Sequence, residues 1–155
     1  MTGQTEKNQN ITTLGADGLL GFVQERKIEG WRLGVMIANL ADENVEVIYV
    51  FEKGNNLSNV RVVLPAEDPG IPSITFLYGY AFVYENEIHD LFGVVFEGLQ
   101  LDFGGNYFVT AEKTPWNPLL ARVSPEALQS DDEMGDETGS DTGQVSEKAE
   151  EGGEG

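Results

Sequence analysis

The chain has no cysteine, one histidine, and only 9 lysines and arginines against 27 acidic residues. Without cysteine there are no disulfides, no thiolate-held zinc and no cysteine-ligated iron–sulfur cluster. Any redox cofactor near this protein has to be held by another chain. A single histidine removes sites that need two, the zincin helix among them. The shortage of cations argues against nucleic acid, because phosphate contacts need clustered lysine and arginine. Long apolar runs are also missing. The longest uncharged run, residues 69–84, has 16 residues and includes two prolines and two glycines, whereas a bilayer span needs about 20 mostly apolar residues. The opening MTGQTEKNQNITT is polar and has no signal-peptide core. Any membrane link is therefore expected to be indirect, through partners.

What is present fits one domain: 155 residues, 40% of them apolar. The net charge of −18 is uneven. From Ser124 onward there are 11 acidic residues and one basic residue, which leaves the preceding body with 16 acidic and 8 basic residues, a net −8. The tail, residues 124–155, is glycine-rich and nearly free of large apolar side chains. It cannot bury enough surface to offset the entropy of ordering, so it is expected to be disordered when alone. The expected organisation is a flexible arm over 1–13, an α+β domain over 14–123, and the acidic tail.

Asp17–Lys27 places Leu19, Leu20, Phe22 and Val23 ahead of a charged end, which predicts a short amphipathic helix capped by Asp17. Trp31–Leu40, Val45–Glu52 and Val60–Leu64 read as three strands separated by the turn sequences ADEN and KGNNLS, with Pro65 ending the third. An antiparallel meander of this kind leaves one apolar face that needs cover. Asn106–Thr110 is a candidate further strand. The segment TPWNPLLARV reads as an extended strap, lying on the chain's own core or on a partner.

The cover for the sheet is PSITFLYGYAFVYENEIHDLFGVVFEG, starting at Pro72 and ending at Gly98. Ala81, Tyr84, Ile88, Leu91 and Phe92 recur at helical spacing. Pro72 suits the first turn of a helix, and Gly79 can bend or split the segment. Gly93 suits a left-handed helix stop, and Val94–Phe96 favours an extended exit. The fold class is thus α+β: a small antiparallel or mixed sheet covered by two or three helices, in a single domain with an extended C-terminal segment.

Glu85, Glu87 and Asp90 crowd one acidic turn. Their spacing suits no metal site: a di-iron bundle uses Glu-x-x-His, and Glu85 to His89 is one residue too long. His89 has no visible pocket or base partner. Gly93, Gly98, Gly104 and Gly105 lack the lysine and the strand–loop–helix setting of a phosphate loop. Trp31, Trp116, Tyr78, Tyr80 and Tyr84 are either core or interface anchors. Core is the reading for Trp31, and Trp116 is balanced between the two.

The same stretch resembles the signature of the 30 kDa subunit family of respiratory complex I and its hydrogenase relatives. That signature is a proline–serine opening, an aromatic, Glu-x-Glu, an apolar residue, x, Asp-Leu-Phe-Gly, a short apolar run and Phe-x-Gly. Glu85, Glu87, Asp90, Leu91, Phe92, Gly93, Phe96 and Gly98 sit in register with it. Three positions depart. Asn86 stands where the family usually has arginine, Val83 where it usually has tryptophan, and LQLDFGG where it continues Gly-His-Pro-Asp-Leu-Arg-Arg. The resemblance implies a non-catalytic subunit of the peripheral arm of a complex-I-like, ion-pumping, ferredoxin-linked membrane oxidoreductase. The missing Gly-His-Pro-Asp tail and the short length look most like the hydrogenase-type or sulfur-reductase-type relatives. It also implies docking beside the large catalytic subunit and the small iron–sulfur subunit, on the cytoplasmic face of the membrane. Iron–sulfur clusters and any NiFe site would belong to those partners, with no cofactor in this chain. The interface residues it suggests are Glu85, Glu87, Asp90 and Phe92, to which the wrapping segment adds Trp116. The alternative is an acidic adaptor or assembly module unrelated to electron transfer.

Overall fold

The computed structural model describes residues 10–120. The expected acidic tail, the first nine residues of the expected arm, and residues 121–123 lie outside the described residues.

Strand β2 (Arg32–Ala41), β3 (Asn44–Lys53) and β4 (Asn56–Pro65) form the expected antiparallel meander. Two-residue loops join them. Asp42 takes a left-handed φ of 54° in the first, and Gly54 takes a φ of 59° in the second, as tight hairpins require. In β3 the side chains alternate strictly, with Val45, Val47, Tyr49 and Phe51 all fully buried on one face. Val60, Val62 and Leu64 extend that face across β4. In β2 a register shift between Leu33 and Val35 lets Leu33 and Met36 both point inward.

A fourth strand departs from the sequence reading. Asn10–Leu14, expected to lie in or beside a loose arm, is strand β1 and runs parallel to β4, with Leu14 opposite Val62. The segment lacks apolar alternation, but Ile11, Thr12 and Thr13 are β-branched and suit an extended backbone. Main-chain pairing to an open edge supplies the rest. The sheet order is β1-β4-β3-β2.

Helix α1 (Leu19–Ile28) follows a single 3-10 turn and buries Leu19 and Val23. It carries no side-chain cap, so Asp17 does not cap it as expected. Phe22, Phe51 and Tyr78 stack in sequence, with ring centroids 6.1 and 5.6 Å apart. Helix α2 (Phe82–Phe92) begins after a 3-10 turn at Gly79–Ala81 and ends at Gly93 in the left-handed region. Pro72 is not in a helical first turn. It lies in the short strand β5 (Gly70–Pro72), which pairs in parallel with β6 (Val95–Glu97). The nine residues between Pro72 and α2 are needed to carry the chain from that ribbon onto the sheet.

Asn106–Thr110 forms no strand. Gly104 and Gly105 turn the chain with positive φ, and the Phe108 amide is spent on a carboxylate rather than on a sheet edge.

Candidate functional site

No residue from Ala81 to Val94 is exposed. The acidic helix is wrapped by its own chain, and each carboxylate faces a different neighbour. Helix geometry explains this: positions one apart are turned by about 100°, so Glu85, Asn86 and Glu87 point three ways.

Glu85 points into the core, beside Ile88 and Phe92 on the buried stripe, and is fully buried. Its Oε2 accepts the Ser73 hydroxyl at 2.7 Å and its Oε1 accepts the Ile74 amide at 2.8 Å. Ser73 Oγ also lies 2.8 Å from Thr75 Oγ1 and accepts the Thr75 amide. One side chain thereby fixes the Ser73–Thr75 turn that leaves β5. Burial pushes the Glu85 carboxyl above the ordinary glutamate range, and hydrogen bonds from Ser73 and Ile74 draw it partly back. Burial also raises the Tyr49 phenol well above its usual value, with the charge of Glu85 as the second cause. The Tyr49 hydroxyl has no hydrogen-bond partner among the described residues.

Asn86 and Asp90 lie on one flank and hold the loop that follows β6. Asn86 Nδ2 donates to Phe82 O and Leu101 O, while Asn86 Oδ1 accepts the Phe103 amide at 2.9 Å. Asp90 Oδ2 accepts the Phe108 amide at 2.7 Å, and Asp90 Oδ1 is buried without a partner among the described residues. Two departures from the family pattern, Asn86 and the LQLDFGG stretch, are thus one arrangement: the short amide reads the backbone of the altered loop. His89 Nδ1 donates to Val94 O at 2.9 Å and closes the end of the helix.

Glu87 lies on the other flank, half-buried, beside a groove formed by β2, α2 and Trp116. Trp116 is 56% exposed and packs on edge against Phe92, ring centroids 5.4 Å apart. The strap reaches it because the Trp116 amide donates to Leu91 O at 2.9 Å. The fully buried Asn117 amide then donates to Ala66 O at 2.8 Å and Phe92 O at 2.9 Å. The segment carrying two prolines therefore lies on this chain's own core.

At the other end of β2, three tyrosines donate to backbone carbonyls: Tyr78 to Trp31, Tyr80 to Leu33 and Tyr84 to Gly34. They bind the start of α2 to an edge strand and satisfy acceptors that a sheet edge leaves open. Burial raises both Tyr78 and Tyr80. Trp31 is half-buried and donates from Nε1 to Glu29 at 2.9 Å, with the Arg26 guanidinium over its ring.

Of the residues singled out from sequence, the structure gathers Glu87, Phe92 and Trp116 at one groove. It engages Glu85 and Asp90 in internal contacts with Ser73, Ile74 and Phe108, while Asp90 Oδ1 keeps no partner among the described residues. Among the described residues no three of His, Asp and Glu converge to hold a metal. Sequence reasoning missed Ser73 and Asn117 as organising residues. A polar residue set between Pro115 and Pro118 in an apolar strap was the available signal for Asn117.

A family model described as "Respiratory-chain NADH dehydrogenase, 30 Kd subunit" matches residues 10–120. The NADH-quinone oxidoreductase subunit 5 of Thermus thermophilus is 56% identical over 39 residues, 25% of this chain and 19% of that protein. The mitochondrial NADH-ubiquinone oxidoreductase 30.4 kDa subunit of Neurospora crassa is 43% identical over 58 residues, 37% of this chain and 20% of that protein. The matched stretches thus span about a fifth of these curated relatives. Among solved structures, the trypsin-resistant fragment 1–134 of Nqo5 superposes with a TM-score of 0.54 at 27% identity, over 61% of this chain and 83% of that one. A chain of the membrane-bound sulfane sulfur reductase, an archaeal respiratory membrane complex, superposes with a TM-score of 0.59 over 86% of this chain and 85% of that one. At 20% identity that last likeness is one of fold.

Proposed function

The chain belongs to the respiratory-chain NADH dehydrogenase 30 Kd subunit family, and from that premise we propose that it is a non-catalytic bracing subunit of a complex-I-like, ion-pumping membrane oxidoreductase. It docks beside the large catalytic subunit and the small iron–sulfur subunit, on the cytoplasmic face, held to the membrane through them. The observation that carries this reading is the use to which α2 puts its acids. Glu85 and Asp90 are spent on the chain's own Ser73, Ile74 and Phe108, which builds a rigid body rather than a reactive cleft. A general acid or base needs reach to a substrate proton, and these two groups have none. No described helix is long and apolar enough to cross a membrane, which is compatible with attachment through partners.

We favour a hydrogenase or sulfur reductase type, ferredoxin-linked, over a NADH–quinone type. One feature supports this: the loop after Gly98, LQLDFGG, lacks the basic continuation usual in the family.

Two experiments test the reading. Mild detergent extraction of native membranes, followed by affinity isolation of this chain, is expected to bring down a large catalytic and a small iron–sulfur subunit. Recovery of soluble basic partners alone would favour the adaptor reading instead. Deletion of the chain is expected to lower the yield of the assembled peripheral arm, and an arm with full yield and activity contradicts the bracing role.

A further inference from the structure

The groove between β2 and α2 has a volume of about 220 Å³, with Met36, Ile88, Leu91 and Phe92 among its walls and Glu87 and Trp116 also lining it. Glu87 differs from the other two carboxylates of the helix. Among the described residues it has no ion pair and accepts no side-chain hydrogen bond. A carboxylate that lines a groove with apolar walls is placed to accept charge-assisted hydrogen bonds from a cation entering it. Trp116, held on edge against Phe92, leaves more than half of its surface open at the same place.

We infer that this groove is an anchor slot for an arginine side chain presented by a neighbouring polypeptide. Three features of the slot demand three features of the occupant. Apolar walls accept a methylene stem. An open indole accepts a planar cation. A carboxylate with no partner among the described residues accepts the donors of a guanidinium fork. Lysine offers only a compact, strongly hydrated charge, and an aliphatic or aromatic residue would seal Glu87 in without a counter-charge. The chain's own described arginines are already committed, Arg26 to Glu29, Arg32 to Glu52 and Arg61 to Glu46. That the neighbour is a subunit of a respiratory complex rests on the function proposed above, but the slot itself rests on geometry and charge.

The test uses the immobilised full-length chain and a displayed library of random heptapeptides. The expected result is enrichment of peptides with one arginine beside apolar residues. Replacing that arginine by citrulline, or Glu87→Gln in the chain, should weaken the selected peptides by at least about tenfold, the scale of a partly desolvated ion pair. Glu87→Gln is nearly isosteric, and an unchanged thermal unfolding curve would show that the fold is intact. No enrichment, enrichment without arginine, or equal affinity for the Glu87→Gln chain would each overturn the inference. Enrichment only with an Arg122→Gln chain would overturn it too, by assigning the slot to the chain's own Arg122. Arginine peptides that bind while no respiratory subunit co-purifies would keep the slot and count against the docking role. Co-purification without peptide binding would do the reverse.

Discussion

Ser73 donates a hydrogen bond from its hydroxyl to Glu85 across 2.7 Å, and both side chains are closed off from solvent. This contact joins the exit of β5 to the first turns of α2, and with the Ile74 amide it makes Glu85 the pin of the central turn. Glu85→Ala leaves a buried amide and a buried hydroxyl short of an acceptor and opens a hole. Its expected cost is about 3 kcal/mol of unfolding free energy, read by urea titration. Glu85→Gln keeps an acceptor for the Ile74 amide and is expected to cost less.

The same residue sets a pH dependence. The folded pKa of Glu85 lies above the ordinary glutamate value, so in the window between the two the folded state binds the proton that the unfolded state has released. The Glu85 contribution to stability is then fully present below the unfolded pKa and is lost as pH rises through the folded one. The difference in stability between the wild-type chain and Glu85→Gln should therefore shift against the wild type as pH rises through that window. A flat difference would show that the carboxyl is not shifted.

Asn117 donates to Ala66 O and Phe92 O from full burial. Asn117→Ala strands two carbonyls and is expected to cost about 2 kcal/mol. Asn117→Asp sets a carboxylate against the same two carbonyls and should cost more, with part of the loss recovered at low pH. Limited proteolysis should cut both variants faster over residues 113–120. Equal digestion rates would show that the strap is held without this side chain.

Gly93 closes α2 at φ 71°, where a methyl group would overlap the side chains of Leu120 and Thr114. The left-handed backbone alone costs a non-glycine residue about 1 kcal/mol, and the overlap adds to it. Gly93→Ala should lower the melting temperature by several degrees, read by circular dichroism.

Asn86 bonds to the loop at Leu101 O and Phe103 N. Asn86→Ala is expected to free that loop at a cost of about 1–3 kcal/mol. Amide hydrogen exchange should quicken at Phe103 and leave β3 protected. Uniform quickening across the sheet would instead make Asn86 part of the global core.

The sequence by itself determined the meander, α2, the glycine stop at Gly93 and the family, because each rests on local facts: period-2 or period-3.6 burial, turn formers, and a signature contiguous in the chain. It did not reveal β1, since the backbone of Asn10–Leu14 pairs with β4, about 48 residues along the chain, and main-chain pairing leaves little mark on side-chain pattern. Nor did it tell the three acids of α2 apart. Glu85, Glu87 and Asp90 have the same chemistry, and only the tertiary arrangement decided that Ser73 and Ile74 meet the first and Phe108 the third, while a groove beside Trp116 meets the second. A carboxylate's role is fixed by what stands opposite it, and those partners come from segments that only folding brings together.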